Sequence, residues 1–272
     1  MILSIRRCWT GLLDLIVAVA IATALLAYSI TFHDTAYTSG WLLGAMVLFL
    51  AAYGVRKKLT YPPLLRSATW LNWHVHVGII CIVVFFIHSG LRLPNGLFET
   101  CLSAAFLILA GSGIIGIILS RTIPSRLSVR GEEVIFERIP MFRRELRKRA
   151  EQLAVDSVEK GKTTTLADFY ASHLVDFFRG PRNSWRHLAQ SSRPLNRLNR
   201  ELRAIDRYLN DEERGMAVEL AELIRAKDTL DYHRVMQGVL KIFFFVHVPL
   251  TYILLIFVAF HVMLVHAFRG TG

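Results

Sequence analysis

The sequence predicts an all-α integral membrane protein with five transmembrane helices and a helical polar insert. Three observations lead to this fold class: apolar residues fall in long blocks, basic residues collect on one side of those blocks, and the longest polar stretch is amphipathic. Hydrophobic residues make up 53% of the 272 residues and charged residues 19%, and the mean hydropathy is +0.41. Soluble domains average about 25% charged residues, so the composition excludes a disordered chain and argues against one soluble domain.

Five apolar segments have the length of about 20 residues that a helix needs to cross a bilayer. The first follows Arg6 and Arg7 as a signal peptide would. Its apolar stretch is longer than a usual signal-peptide core and no A-x-A cleavage site follows, so we interpret it as a retained anchor. The predicted spans cover residues 12–31, 37–55, 73–91, 97–120 and 242–268.

The distribution of Lys and Arg predicts the orientation of these spans. With the N-terminus inside, the inner segments hold 30 of the 32 basic residues and the outer segments hold Arg92 and Arg269. Basic residues favour the cytoplasmic side. We therefore expect a multi-pass protein of a bacterial inner membrane, with a cytoplasmic N-terminus, a periplasmic C-terminus and membrane lipid around it.

The polar insert separates the fourth and fifth spans. The predicted division is residues 1–120 for four transmembrane helices, 121–240 for a cytoplasmic helical insert, and 241–272 for the last span and outer C-terminus. The insert contains 24 basic and 18 acidic residues up to Lys241. It has no GxGxxG or GxxxxGK[ST] nucleotide motif. Amphipathic helices are predicted over 140–158, 166–179, 195–209 and 212–226, the second starting with a capping box at Thr165 and Asp168.

Four histidines in two spans form the main functional pattern. His74 and His88 lie fourteen residues apart in the third span, and His247 and His261 have the same spacing in the fifth. Fourteen residues come within roughly 40° of a whole number of helical turns, so each pair shares one helix face, about 21 Å apart along the axis. Both spans run from inside to outside. His74 and His247 therefore share the inner depth, and His88 and His261 the outer depth.

Two histidines that face each other at one depth can bind one iron from both axial sides. We interpret the pattern as two stacked b-type haems, held by His74 and His247 on the inner side and by His88 and His261 on the outer side. A helix–helix hydrogen bond or a proton relay are alternatives for any one of these histidines. Zinc or copper is also an alternative, although two histidines leave tetrahedral zinc under-coordinated.

Other histidines fit this pattern less well. His76 lies about 200° around the helix from His74, and we keep it as a possible quinone-site or interfacial residue. His266 is expected at the outer surface near Arg269, and His233 is expected to be solvated or interfacial on the inner side. His33 falls in an outer loop, and His173 and His187 fall in the insert, where a surface or core position is expected.

Small and basic residues accompany the four histidines. Gly78, Cys81 and Phe85 share the face of His74 and His88, and Gly78 would let a macrocycle approach the backbone. Gly111, Gly113 and Gly116 in the fourth span fit either that role or ordinary small-residue helix packing. Pro249 is a candidate kink. Four basic residues are candidates for pairing with haem propionates: Arg92 on the outer side, and Arg66, Arg121 and Lys241 on the inner side. Each of them could equally belong to a solvated basic rim.

Two spans that each carry His-x13-His resemble the di-haem transmembrane cytochrome b superfamily, which includes cytochrome b subunits of membrane-bound respiratory oxidoreductases. The resemblance covers 73–120 and 242–268. It implies a four-helix bundle around two haems that passes electrons across the bilayer. The insert, and the absence of a flavin or nicotinamide domain, depart from the common family patterns. The implied partners are a cytoplasmic iron–sulfur or flavoprotein subunit on 121–240, a periplasmic cytochrome, and quinone; no nucleic acid is expected.

Two other classes of function remain open from the residues alone. One is a membrane anchor or scaffold that carries histidines but no cofactor. The other is a proton or metal-ion transporter that uses histidines as relays. A transporter is expected to have more carboxylates within its spans; apart from Asp14, near an edge, the spans here have essentially none.

Overall fold

The computed structural model describes residues 16–24, 27, 35–58, 66–130, 134–161 and 163–268. These residues are helical with short connections, and no strand occurs among them. Residues 16–24 belong to helix α1. The other helices are α2 (Thr35–Lys58), α3 (Ser67–Ser89), α4 (Leu97–Val129), α5 (Ile139–Glu159), α6 (Thr165–Phe169), α7 (Val175–Arg179), α8 (Ser184–Leu188), α9 (Arg193–Ile205) and α10 (Asp211–Phe268).

The chain forms two compact units. Unit 1 contains the described residues up to Ile118 and those from Phe243 onward, and unit 2 contains Leu119–Ile242. Helices α4 and α10 each contribute residues to both units.

Four helices among the described residues are long and apolar enough to cross a membrane. They contain the spans Ala36–Gly54, Ser67–Ser89, Leu97–Val129 and Asp211–Phe268. The predicted spans at 37–55, 97–120 and 242–268 fall on three of these helices, and the one at 73–91 falls on α3 except for its last two residues. Half of the first predicted span, 12–31, lies outside the described residues, and its described residues, 16–24 and 27, are helical. Helix α3 ends where Gly90 takes up a left-handed conformation with φ 59°, a common way for a helix to terminate.

Helix α10 is longer than either of the two helices predicted within it. The predicted insert helix at 212–226 and the predicted span at 242–268 are parts of one helix of 58 residues. The intervening residues contain no proline and a single glycine, Gly238. One glycine is not enough to end a helix that is otherwise made of helix-compatible residues. Pro249 lies inside the helix without ending it. Proline is tolerated in membrane helices because neighbouring groups can satisfy the freed backbone carbonyl.

Unit 1 has an apolar core in which α2 packs along α3. Buried side chains from four helices meet in this core: Val47 of α2, Cys81 of α3, Ala105 and Phe106 of α4, and Leu254 of α10. The rings of Phe85 and Phe106 stack at a centroid distance of 4.2 Å. The core therefore joins the helix that carries His74 and His88 to the helix that carries His247 and His261.

Unit 2 has its own core, built by the short helices around the first part of α10. Leu166, Phe169, Leu174 and Phe178 are buried together with Leu220 and Ile224 of α10. The predicted helix at 166–179 is divided by a π-helical turn at Tyr170–Leu174. The predicted capping box at Thr165 was wrong, because Thr164 is the N-cap residue and no side chain caps this helix.

A buried cluster of charged groups also lies in unit 2. The Lys227 ammonium contacts the Asp231 carboxylate and donates to the Gly180 carbonyl at 2.9 Å. His187 is buried beside Asp228, with Nε2 3.6 Å from Oδ1. Burial lowers the pKa of His187, and the nearby Asp228 carboxylate opposes this effect. His233 is fully buried, so the expectation of a solvated or interfacial residue was wrong.

Candidate histidine site in the membrane unit

The structure brings the four histidines together as two ring pairs between α3 and α10. The imidazole centroids of His74 and His247 are 6.5 Å apart, and those of His88 and His261 are 6.3 Å apart. Two imidazoles that bind one metal from opposite sides, with bonds of about 2 Å and ring centres roughly 1.1 Å beyond the bonded nitrogens, would have ring centres about 6.2 Å apart. Both pairs therefore have the spacing of axial ligands.

The outer pair is anchored through the Nδ1 atom of His88. This atom lies 3.0 Å from the Ala36 carbonyl oxygen and 3.2 Å from the Ser39 hydroxyl. A carbonyl can only accept, so this contact favours the tautomer in which Nδ1–H donates and the Nε2 lone pair is left for a ligand bond. Metal-bound histidines commonly donate their second ring nitrogen in this way.

The inner pair is anchored through the corresponding atom of His247. Its Nδ1 lies 2.7 Å from the Ser112 hydroxyl, and that hydroxyl donates to the Leu109 carbonyl at 2.7 Å. Because the hydroxyl proton is used there, the oxygen accepts from Nδ1–H of His247. The Nε2 atom of His247 then carries the lone pair, as in the outer pair.

Aromatic rings surround the inner pair. Phe243 stacks on His247 with a centroid distance of 5.2 Å, and the Tyr53 ring centroid is 5.3 Å from that of His74. Glycines of α4 receive these α10 side chains. A Cβ added at Gly113 would lie 3.9 Å from the His247 ring, and one added at Gly116 would lie 2.5 Å from the Phe243 ring.

A cavity of about 640 Å³ contains the outer pair. Cofactor and ligand sites typically occupy about 300–1,000 Å³. His88 and His261 both line it, together with Gly40, Gly44 and Arg92. A Cβ added at Gly40 would lie 2.9 Å from the His88 ring, whereas no described side chain or neighbouring backbone atom lies within 4 Å of a Cβ at Gly44. The cavity is thus large enough for a cofactor and has a cation at its edge.

The core of unit 1 lies between the two ring pairs along the helices. Cys81 is seven residues from both His74 and His88, and Leu254 is seven residues from both His247 and His261. Cys81 and Leu254 are each 2% exposed. Close packing at this level separates the two pairs by an apolar layer.

The remaining predicted site residues have varied surroundings. Gly78 faces α2, because a Cβ there would lie 4.0 Å from Leu50. Lys241 belongs to unit 2, where its ammonium lies 2.6 Å from Glu137 Oε1. Arg121 is also a unit 2 residue. Arg66 is exposed just before α3. No described side chain or backbone atom of another element lies within 4 Å of a Cβ at Gly111.

The other histidines occupy different positions. Neither ring pair includes His76, which is half-buried on α3. His266 lines the outer cavity, with its ring centroid 5.9 Å from Trp41 and 6.1 Å from Tyr37. His266 is exposed, as expected, and it also contacts these two aromatic rings. The predicted neighbour of His266, Arg269, and the predicted loop histidine, His33, both lie outside the described residues.

The sequence did not reveal the groups that contact the Nδ1 atoms of His88 and His247. Ser112 lies 135 positions from His247, and Ala36 lies 52 positions from His88. No periodic signal links such distant residues. Phe243 is different, because it lies four residues before His247 and therefore shares its helix face.

Among the described residues, no group of three or more His, Cys, Asp or Glu side chains could hold a metal ion. Each ring pair instead supplies two imidazoles. No protein-family model, no curated protein and no solved structure matches this chain.

Proposed function

We propose that this protein is a membrane-integral di-haem cytochrome b, the electron-transfer subunit of a multi-subunit oxidoreductase. The observation that carries the proposal is the pair of imidazole couples at 6.5 and 6.3 Å, formed by the same two apolar helices. A single couple could be a structural hydrogen bond or a relay. Two couples with axial-ligand spacing and repeated Nδ1 anchoring are better explained by two equivalent cofactors.

The residues present fit b-type haem. His74 and His247 would hold the inner group, and His88 and His261 the outer group. Iron with two imidazole ligands has no open coordination position and supplies one-electron transfer. The hydrogen bonds from His88 to Ala36 and from His247 to Ser112 would keep each ring oriented. Arg92, at the wall of the outer cavity, would pair with a propionate.

The chain's own packing would serve this role in two further ways. The buried layer at Cys81 and Leu254 excludes water between the two levels. The apolar exteriors of α2, α3, α4 and the end of α10 suit lipid contact. The packed side chains of the buried layer would keep water away from the space between the two haems that the histidines would hold.

The proposed setting follows from the charge bias of the sequence. We place the N-terminus in the cytoplasm and the C-terminus in the periplasm of a bacterial inner membrane, by the positive-inside tendency. A redox partner with an iron–sulfur centre or a flavin would dock on the insert, and a periplasmic cytochrome or quinone would exchange electrons at the outer end. The resemblance to respiratory cytochrome b subunits supports this arrangement.

The test is the visible spectrum of the purified protein and of single histidine variants. Wild-type protein should show reduced-minus-oxidised b-type bands and about two haems per chain by the pyridine haemochrome assay. His74→Ala and His247→Ala should each lose the inner haem, and His88→Ala and His261→Ala the outer one. His76→Ala, on the same helix as His74, is the matched control and should keep both.

Contrary results are easy to recognise. A folded, colourless wild-type preparation would reject the proposal and favour the scaffold or transporter classes. Loss of haem in His76→Ala with retention in His74→Ala would show that the helix register assigned to α3 is wrong.

A further inference from the structure

The net positive charge of unit 2 falls in a segment that has few acidic residues. The segment 179–208 contains eight arginines and two acidic residues, Glu201 and Asp206, for a net charge of +6. The whole insert, with 24 basic and 18 acidic residues, has the same net charge. The rest of the insert has equal numbers of basic and acidic residues in total, so the segment from the end of α7 through α9 accounts for its net charge.

Helix α9 separates its charged and apolar residues cleanly. Leu195, Leu198 and Ile205 pack against the core of unit 2, and Leu202 is buried in it. The opposite side is exposed and basic. We define the arginine face as the exposed side chains Arg193, Arg197, Arg200, Arg203 and Arg207 of α9 and the turn that follows it.

Most of the arginine face has no internal partner. Within the described part of the chain, Arg197 pairs with Glu201 at 2.7 Å, and Arg207 lies over the Tyr208 ring at 4.7 Å. Arg193, Arg200 and Arg203 take part in no ion pair there. Elsewhere in unit 2, some exposed arginines pair with carboxylates, as Arg149 does with Glu219, whereas Arg144 and Arg225 pair with none that the structure describes. Unmatched like charges on one helix repel each other, so an anionic partner would relieve that repulsion.

The residue types point to an interface rather than to a solvated surface. All eight basic residues of 179–208 are arginine, although the rest of the insert contains five lysines. Arginine binds carboxylates through two parallel hydrogen bonds and is enriched at protein interfaces, where lysine is depleted. Trp185, in the same segment, is 82% exposed, and exposed tryptophan beside arginine is typical of binding hot spots.

We propose that the arginine face is the docking surface for an acidic, soluble electron-carrier protein. This rests on the proposed function for the identity of the partner as an electron carrier. Charge complementarity selects a surface rich in Asp and Glu. An anionic membrane surface is less suitable, because an interfacial helix inserts its apolar side into lipid, and the apolar side of α9 is already packed in the unit 2 core.

The experiment uses the full chain in neutral-lipid nanodiscs and an acidic [2Fe–2S] ferredoxin as the probe. Binding is measured at low and high ionic strength for wild type, for R193E/R200E/R203E and for R144E/K148E/R225E. The second triple variant is the matched control: its three positions are exposed and its change in net charge is the same. R193Q/R200Q/R203Q tests the same surface with a milder change, and circular dichroism checks that each variant is folded.

Wild type should bind ferredoxin at low salt and lose affinity as salt rises, as expected for a charged interface. R193E/R200E/R203E should bind about tenfold or more weakly, and the glutamine variant should show a smaller loss, whereas the control should change by less than about threefold. Equal losses in both charge-reversal triples would overturn the proposal, because they would show a net-charge effect without a defined surface.

Two further readouts separate the possible failures. If phosphatidylglycerol vesicles capture the nanodiscs through the arginine face while ferredoxin binding does not depend on it, the surface is a lipid contact and the docking proposal is wrong. Haem reduction by reduced ferredoxin is followed in parallel. Specific binding without any haem absorbance would reject the proposed function and leave the surface assignment standing. Haem reduction that is unaffected by R193E/R200E/R203E would reject the docking surface alone.

Discussion

Gly116→Ala tests the packing beneath the inner histidine pair. A Cβ at this position would lie 2.5, 3.0 and 3.2 Å from three carbons of the Phe243 ring. Favourable carbon–carbon contacts are about 3.5–4.0 Å, so the ring or the helix has to move by about 1 Å. Phe243 stacks on His247 with a 26° interplanar angle, and a shift of the phenyl ring is therefore passed to the imidazole.

The expected change in the free energy of unfolding is the balance of two opposing effects. Overpacking of this kind costs about 1–3 kcal/mol, while replacing a helical glycine by alanine gains about 0.5–1 kcal/mol. Gly111→Ala is the matched control on the same helix, because Gly111 is exposed and a Cβ there meets no described side chain or neighbouring backbone within 4 Å. The helix-propensity gain is common to both variants. Gly116→Ala should therefore be about 1–3 kcal/mol less stable than Gly111→Ala.

The assay is unfolding in mixed micelles of mild detergent and sodium dodecyl sulfate, followed by circular dichroism at 222 nm. Under the proposed function, Gly116→Ala should also alter the absorbance of the inner haem and leave the outer haem unchanged. Equal stability of the two alanine variants would refute the reasoning, since it would show that Phe243 does not pack on α4 at this position.

Three other substitutions give further expected outcomes, the first two under the proposed function. Gly40→Ala should displace the His88 ring, which its Cβ would approach to 2.9 Å, and so reduce outer haem content; Gly54→Ala, also on α2, should not, and haem stoichiometry decides between them. Ser112→Ala should weaken haem binding at the inner pair by about 10- to 100-fold, while Ser112→Thr keeps the hydroxyl and most of the affinity in a haem titration. Burial lowers the pKa of His187, so the unfolded chain takes up that proton more readily. Opening of unit 2 should therefore become easier as pH falls from 7.5 to 5.5, by up to about 1.4 kcal/mol per pH unit. Amide exchange of wild type should show this slope, and His187→Gln should remove it; an unchanged slope in the variant would contradict the assignment.

Much of the fold could be predicted because membrane helices are specified locally. Length and hydropathy alone place four of the predicted spans on four apolar helices. The boundaries inside unit 2 were harder, because hydropathy does not reveal whether consecutive helical stretches are continuous. Helix α10 joins a predicted insert helix to a predicted span, and the predicted helix at 166–179 contains a π-helical turn.

Part of the candidate site could also be predicted from the sequence, and part of it could not. The fourteen-residue spacing places His74 and His88 on one face of α3 and His247 and His261 on one face of α10, because helix geometry fixes the angle between residues of one helix. The distances between the helices come from packing. So do the hydrogen bonds of His88 with Ala36 and of His247 with Ser112, whose partners are far apart in the chain.

The sequence by itself determined that this chain is helical, that several of its helices suit a lipid environment, and that its histidines recur in helical register, since each of these properties depends on neighbours along the chain. The tertiary structure alone decided which rings face each other, which groups hold them, and which histidines are buried. His233 and His187 became core residues of unit 2, because burial depends on contacts that close only when distant segments pack together.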